Sequence, residues 1–572
     1  MADPASPSNL RPRRSILRPA LRRNSRDLVI GATLALLVVA SWVPRLQGPL
    51  DLRWDAGVYY VLGTALAQGK GYRLLNEPGE IEAIQYPPLL PTLVAAHQLV
   101  LRSTDPVTVG SWLRVTFLVI SVLNVVAAYA LLRAHLGIRH ALLGALVLIP
   151  SALGGDELGP EPLFMLASTL FALCATSSGQ GSGRMAGLLA VVAYLLRAAG
   201  IALLAAWVGE SLLRGKVRSA MLRLTVALIP VLAWHGYIAL VERSTAYTHP
   251  AYPYQRAAYQ QHNVSYARNL ALKDPFTPSR GPAAVGDLVQ RVLSNAARVP
   301  ATLGEVVSAP RSAWDAVLRR VAQVRPLVGL RIESGTTAVL IVLGGLVIAG
   351  VVYQAARGQF LIPIYVLAYG FVVCNTAWAI NLPRYWSPLA PVLVLAGLHV
   401  VAAVDRRRRR RGASLSFLGL AAVAVAVIAV NVVGLIDTYR RSYERVEYQG
   451  RDGRAIVYRL FFYRDRFRAF DAGVDWLMQH AQPTDIVATS MPHWVYLRTG
   501  LRAVMPPAEG DPPRTLALLD AVPVTYVLVG GSSAIRWAHE LAFPAVRAMP
   551  EDWMPVYAAP GESLVIYRRL GR

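Results

Sequence analysis

Apolar stretches recur along this chain, several of them about 17–25 residues long, enough to cross a bilayer as a helix. Polar residues collect between the stretches rather than recurring within them. The pattern predicts a multi-pass α-helical membrane protein with about 11 spans. They lie near 28–44, 110–132, 141–154, 161–178, 184–196, 198–213, 219–241, 336–353, 359–378, 385–404 and 414–437. One long run, 184–213, is interrupted by Leu195-Leu196-Arg197-Ala198-Ala199-Gly200. A single crossing there would invert every later loop, so two short helices meeting near Arg197 are expected.

The basic residues set the orientation. Seven arginines from Arg11 to Arg26 precede the first span. Arg133 and Arg139, then Arg184, then Arg214, Lys216, Arg218 and Arg223, then Arg357, then the unbroken run Arg406 to Arg411 fall between alternate spans. The positive-inside rule puts these loops and the N-terminus in the cytoplasm. Residues 1–27 then form a basic cytoplasmic tail ahead of a membrane module, 28–437. The expected location is a bacterial plasma membrane. The net charge of +24 is thereby explained by topogenic and lipid-facing clusters, and nucleic acid is not an expected partner. The composition agrees, with 54% hydrophobic and only 16% charged residues. Cys174 and Cys374 both lie in apolar segments and imply no disulfide framework.

Three extracytoplasmic blocks follow. In the first, 45–109, the stretch 56–68 has apolar residues at helical spacing and is expected along the membrane interface, with a second helix at 87–101. The second block, 242–335, opens rich in Tyr and Pro, and reads as amphipathic helices over 283–299 and 312–324. The third, 438–572, reads as a small α/β domain. Its helices are predicted at 470–480 and 514–521, and its strands at 485–490, 524–529 and 562–567. Gly530-Gly531 ends a strand and lacks the spacing of a nucleotide fingerprint.

Only 34 residues are acidic, so their placement is informative. Asp55 stands in the first outer block, in Arg53-Trp54-Asp55-Ala56. Asp156, Glu157 and Glu161 stand between the third and fourth spans. Ionisable groups at membrane depth are costly and are usually functional. The plain alternative is a carboxylate favoured at a helix N-terminus, which suits Glu161 between Pro160 and Pro162. Arg197, Arg384 and Lys70 are the complementary cations, and a guanidinium fork suits a phosphate. The alternatives are snorkelling for Arg384 and a buried pair with Asp156 or Glu157 for Arg197. Tyr59, Tyr86 and Tyr385 flank these groups and are candidate substrate contacts. His97, His235, His262 and His493 have no metal-ligand spacing and read as packing or loop residues. No metal ligand set is assigned.

Taken in order, Asp55, Gly69-Lys70-Gly71-Tyr72, Tyr86-Pro87-Pro88-Leu89, Glu161-Pro162-Leu163-Phe164, Leu196-Arg197-Ala198-Ala199-Gly200 and Arg384-Tyr385-Trp386-Ser387-Pro388 resemble the C-type (GT-C) glycosyltransferases. The nearest branch is the bacterial relatives of protein mannosyltransferases and of the lipid A aminoarabinose transferase. The resemblance covers about residues 28–405. It implies a polyprenyl-phosphate sugar as donor, with no certain cofactor and an open question of a divalent metal. It also implies Asp55 as base, support from Glu161 or the Asp156-Glu157 pair, and Arg197, Arg384 and Lys70 toward the lipid phosphate. Many protein mannosyltransferases carry Asp-Glu where this chain has Asp55-Ala56, which leaves the acceptor open among glycan, lipid and protein. The competing reading is a transporter or flippase of a lipid-linked glycan. It calls for paired repeats with polar sites near the midplane. The polar groups here gather at the outer face instead.

Overall fold

The structure is a computed structural model that describes residues 25–150, 156–177, 181–324, 332–409, 415–441, 446–449, 455–458, 465–530, 535–562 and 564–571. The arginines before Ser25, the end of the expected 141–154 span, Arg410 and Arg411 of the arginine run, and Gly531 lie outside the described residues.

Every expected span falls on a helix. Among the described residues, six helical segments are long and apolar enough to cross a membrane: Ser25–Arg45, Pro106–His135, Val217–Glu242, Ile332–Ala356, Ala379–Arg407 and Leu418–Ile436. The other expected spans fall on the shorter apolar helices Ile138–Leu148, Glu161–Thr176, Ser182–Leu196, Ala198–Leu213 and Leu361–Cys374. The run 184–213 is broken as anticipated. Helix Ser182–Leu196 stops at Arg197, whose backbone is extended (φ −155°, ψ 133°), and Ile201–Leu213 begins after one tight turn. Gly200 donates its N–H back to the Arg197 carbonyl at 2.8 Å and closes that turn.

The helix expected along the interface behaves differently. Asp55–Ala67 is helical, but ten of its residues, Ala56 to Ala65, are buried. A helix that is apolar on all sides belongs in a core rather than on a surface. Its small residues let it pack against Leu89–Leu101 and against the C-terminal domain.

The first outer block also carries a small hairpin of β1 (Arg73–Leu74) and β2 (Ile81–Glu82). A second hairpin, β3 (Val446–Gln449) with β4 (Ala455–Tyr458), leads into the C-terminal domain. There β5 (Ile486–Thr489), β6 (Arg502–Val504), β7 (Tyr526–Gly530), β8 (Trp553–Ala558) and β9 (Leu564–Arg569) form one sheet in the order β6-β5-β7-β9-β8. The first three run parallel, and β9 is antiparallel to both its neighbours. The predicted helices and strands are present. β6 and β8 escaped prediction because β6 is three residues long and β8 carries Pro555 at a register shift.

This domain is held down on the loops between the helices. β6 is an edge strand, and Asn76 covers it: Ala503 N–H donates to the Asn76 carbonyl at 2.9 Å and Asn76 Nδ2 donates back at 3.0 Å. The buried Arg53 guanidinium lies over the rings of Phe467 (4.9 Å) and Trp494 (5.6 Å). Tyr259 Oη accepts from Ala508 N–H at 3.1 Å. The first block, the second block and the C-terminal domain therefore meet at one end of the helices.

Candidate active site

At that meeting point is a cavity of about 260 Å³. Asp55, Glu157 and Arg384 line it from the helical part, His262 and Phe276 from the second block, and His493 and Trp494 from the C-terminal domain.

Asp55 is the first residue of its helix, where the helix dipole favours a carboxylate. The preceding residue, Trp54, has φ +59° and ψ −136°, an unfavourable conformation for a residue with a bulky side chain. That bend turns the chain into the helix at the cavity wall. Asp55 Oδ1 accepts from Tyr86 Oη at 3.1 Å, and Oδ2 is 3.8 Å from Arg384 Nη1. Tyr59 stacks beside Tyr86 with ring centroids 4.7 Å apart. Gly57, two residues along, faces the C-terminal domain. A Cβ there would come within 2.7 Å of the Leu52 carbonyl and 3.1 Å of His493 Cβ, so the close docking requires glycine.

Glu161 also begins a helix, after Pro160. It binds both candidate arginines. Arg384 Nε donates to Oε1 at 2.8 Å, and Arg197 Nη1 reaches the same oxygen at 3.4 Å. Arg197 lies 4.8 Å over the Tyr385 ring. The pair anticipated for Arg197 with Asp156 or Glu157 is replaced by this one with Glu161. Gly159 leaves room for it, since a Cβ there would be 2.5 Å from Glu161 Oε2.

Glu157 is placed beside Asp55 by backbone pairing: Asp51 N–H donates to the Asp156 carbonyl at 2.8 Å, and Leu158 N–H donates to the Asp51 carbonyl at 3.3 Å. Burial pushes the Glu157 carboxyl up to about 8, opposed by Arg384 and reinforced by Asp55. Asp156 points elsewhere and is bound by the buried Arg45 at 2.9 Å. Lys70 is also apart from this group: it pairs with Glu80 at 2.8 Å on the β1–β2 hairpin, with 43% of its side chain exposed.

Two further residues at the cavity were not singled out by the sequence. His262 and His493 read as packing or loop positions, yet both line the cavity, with ring centroids 5.1 Å apart. Burial lowers the pKa of each and keeps both imidazoles neutral. No local signal marks them, because they are more than two hundred residues apart in the chain. Among the described residues, no three His, Cys, Asp or Glu side chains are grouped closely enough to hold a metal ion.

No family model and no curated protein matches the chain. Solved structures do. The oligosaccharyltransferase of Archaeoglobus fulgidus in its apo form aligns over 91% of this chain and 72% of that chain, at 13% identity and a TM-score of 0.52. The same archaeal enzyme, AglB, in complex with an inhibitory peptide and a dolichol-phosphate, aligns over 95% of this chain and 74% of that chain, at 11% identity and TM-score 0.50. ArnT from Cupriavidus metallidurans in the apo state aligns over 95% of this chain and 98% of that one, at 12% identity and TM-score 0.49. At such identities the oligosaccharyltransferase alignments show a shared fold.

Proposed function

We propose that this chain is an integral-membrane glycosyltransferase. It moves a sugar from a polyprenyl-phosphate donor to an acceptor hydroxyl at the extracytoplasmic face, with inversion. The observation that carries the reading is the juxtaposition at the cavity: a carboxylate, Asp55, 3.8 Å from the guanidinium of Arg384. An acceptor hydroxyl needs a base within reach, and a departing phosphate needs positive charge beside it. The shared fold supports this, and one of its solved neighbours holds a dolichol-phosphate, itself a lipid phosphate.

The step balances as follows. The acceptor oxygen attacks the anomeric carbon as its proton passes to Asp55. The bond from that carbon to the phosphate oxygen breaks, and the electron pair leaves with the polyprenyl phosphate. Displacement by one base from the face opposite the leaving group inverts the anomeric centre. Glu161 holds Arg384 by Nε and Asp55 lies 3.8 Å from Nη1, which leaves Nη2 as the terminal nitrogen for a phosphate oxygen. Arg197 supplies the second cation from the other side of Glu161. The loops from the membrane module and the C-terminal domain (438–572) enclose the reacting groups.

The test is transfer from radiolabelled polyprenyl-phosphate sugars in membranes carrying wild type or Asp55→Asn. Transfer by wild type, and its loss in a normally expressed variant, is the expected result. Equal turnover by both proteins would remove Asp55 as base.

A further inference from the structure

We infer that His262 and His493 form a wall that binds hydroxyl groups of one sugar ring, His493 being the C-terminal domain's contribution to substrate binding. The inference rests on the transferase reading and names residues and a substrate class for the same cavity.

The protonation of His262 follows from a chain of hydrogen bonds that begins at a backbone carbonyl. Asn269 Nδ2 donates to the Ala258 carbonyl at 2.8 Å, so the Asn269 amide oxygen faces Gln85. Gln85 Nε2 therefore donates to Asn269 Oδ1, at 2.9 Å. The Gln85 oxygen is then turned to His262 Nδ1, 3.1 Å away, and an oxygen acceptor there requires hydrogen on Nδ1. Tyr86 Oη, 3.4 Å from the same nitrogen, keeps its own hydrogen for Asp55. With the imidazole neutral and Nδ1 protonated, His262 Nε2 is a bare lone pair. Among the described residues no group donates to it.

His493 supplies a second unmet group. The residue is 5% exposed, it lines the cavity, and its Nε2 is buried with no hydrogen-bond partner among the described residues. Gln261 Nε2, on the same cavity, is likewise buried without an acceptor. Buried polar atoms left unpaired are costly, so the wall calls for a ligand that both donates and accepts. A hydroxyl does both. Trp54, Phe276 and Trp494 supply apolar ring surface in the same cavity, as a sugar's C–H faces require.

The sugar belongs either to the donor or to the acceptor, and one experiment separates the two. The detergent-solubilised full chain is titrated with methyl α-mannopyranoside and with methyl β-arabinopyranoside, following the fluorescence of its tryptophans. Wild type is expected to show saturable quenching with at least one of them. His493→Ala is expected to weaken that binding about tenfold, a loss of one hydrogen bond of roughly 1.4 kcal/mol. His493→Gln, which keeps a polar group in the wall, is expected to restore much of it. Competition of the glycoside with a polyprenyl-phosphate sugar in the transfer assay assigns the donor's ring; failure to compete assigns the acceptor's. No saturable quenching in wild type, or equal affinity in wild type and a folded His493→Ala, overturns the inference. The titration needs neither donor nor turnover, so it stands or falls separately from the role of Asp55.

Discussion

Asp55 and Glu161 each open a helix, and each lies against the Arg384 guanidinium, yet their surroundings differ. Glu161 accepts from Arg384 at 2.8 Å and meets Arg197 at 3.4 Å, with 15% of its side chain exposed. Asp55 has 36% of its side chain exposed, lines the cavity, and stands 3.8 Å from the same arginine. A carboxylate held between two guanidiniums is a poor proton acceptor and a good anchor for cations. A carboxylate steadied by one tyrosine hydroxyl, with a free edge on a cavity, can take a proton. The proposed roles thus differ by partners and not by residue type: Asp55 as base, and Glu161, expected to support the site, as the anchor of Arg384 and Arg197.

The sharpest way to break this contrast is to neutralise each carboxylate in turn. Asp55→Asn should lower transfer by about 10²–10⁴-fold at unchanged thermal stability, measured as kcat with saturating donor. Glu161→Gln should act differently. It leaves Arg197 without its counter-ion and Arg384 with Asp55 alone, so the thermal midpoint should fall. The KM for the lipid-phosphate donor should rise as Arg384 and Arg197 lose their orientation. A Glu161→Gln protein with normal stability and normal donor KM would erase the distinction between the two carboxylates.

Glu157 sharpens the comparison through pH. Its carboxyl holds a proton to about 8 in the folded chain, against about 4.5 when unfolded. Between those values the folded chain binds more protons than the unfolded one, so this group makes stability decline as pH rises through that window. Glu157→Gln should remove the decline. Its thermal midpoint should exceed that of wild type at pH 8.5 by about a few degrees and match it near pH 4.5, as scanning fluorimetry at a series of pH values would show. The smallest effect is expected at Lys70. It is paired with Glu80 on an exposed hairpin, where such pairs contribute about 0–1 kcal/mol. Lys70→Ala should leave transfer within about twofold of wild type, and a large loss would place the hairpin in the phosphate site after all.

The difference between what was legible and what was not follows the range of the interactions. The spans were legible because crossing a bilayer demands a local property, a long apolar run, and the break at Arg197 and Gly200 was legible because a charge and a glycine interrupt one. Asp55, Glu161 and Arg384 stood out for the same local reason, as charges at the edges of apolar segments. Asp55–Ala67 was misjudged as interfacial because its surface is covered by partners distant in sequence. Lys70 looked equivalent to Arg197 until the hairpin supplied Glu80.

The sequence by itself determined a multi-span helical chain with a small α/β domain at its end, because long apolar runs and short strand-like runs are written in consecutive residues. Only the tertiary structure decided which carboxylate is bound by two arginines and which faces the cavity, and that two histidines line the same cavity. Arg384 and Glu161 are 223 residues apart, and Tyr86 and His262 are 176 apart. Such pairs form only when folding brings their segments within hydrogen-bonding distance, and no periodicity along the chain records them.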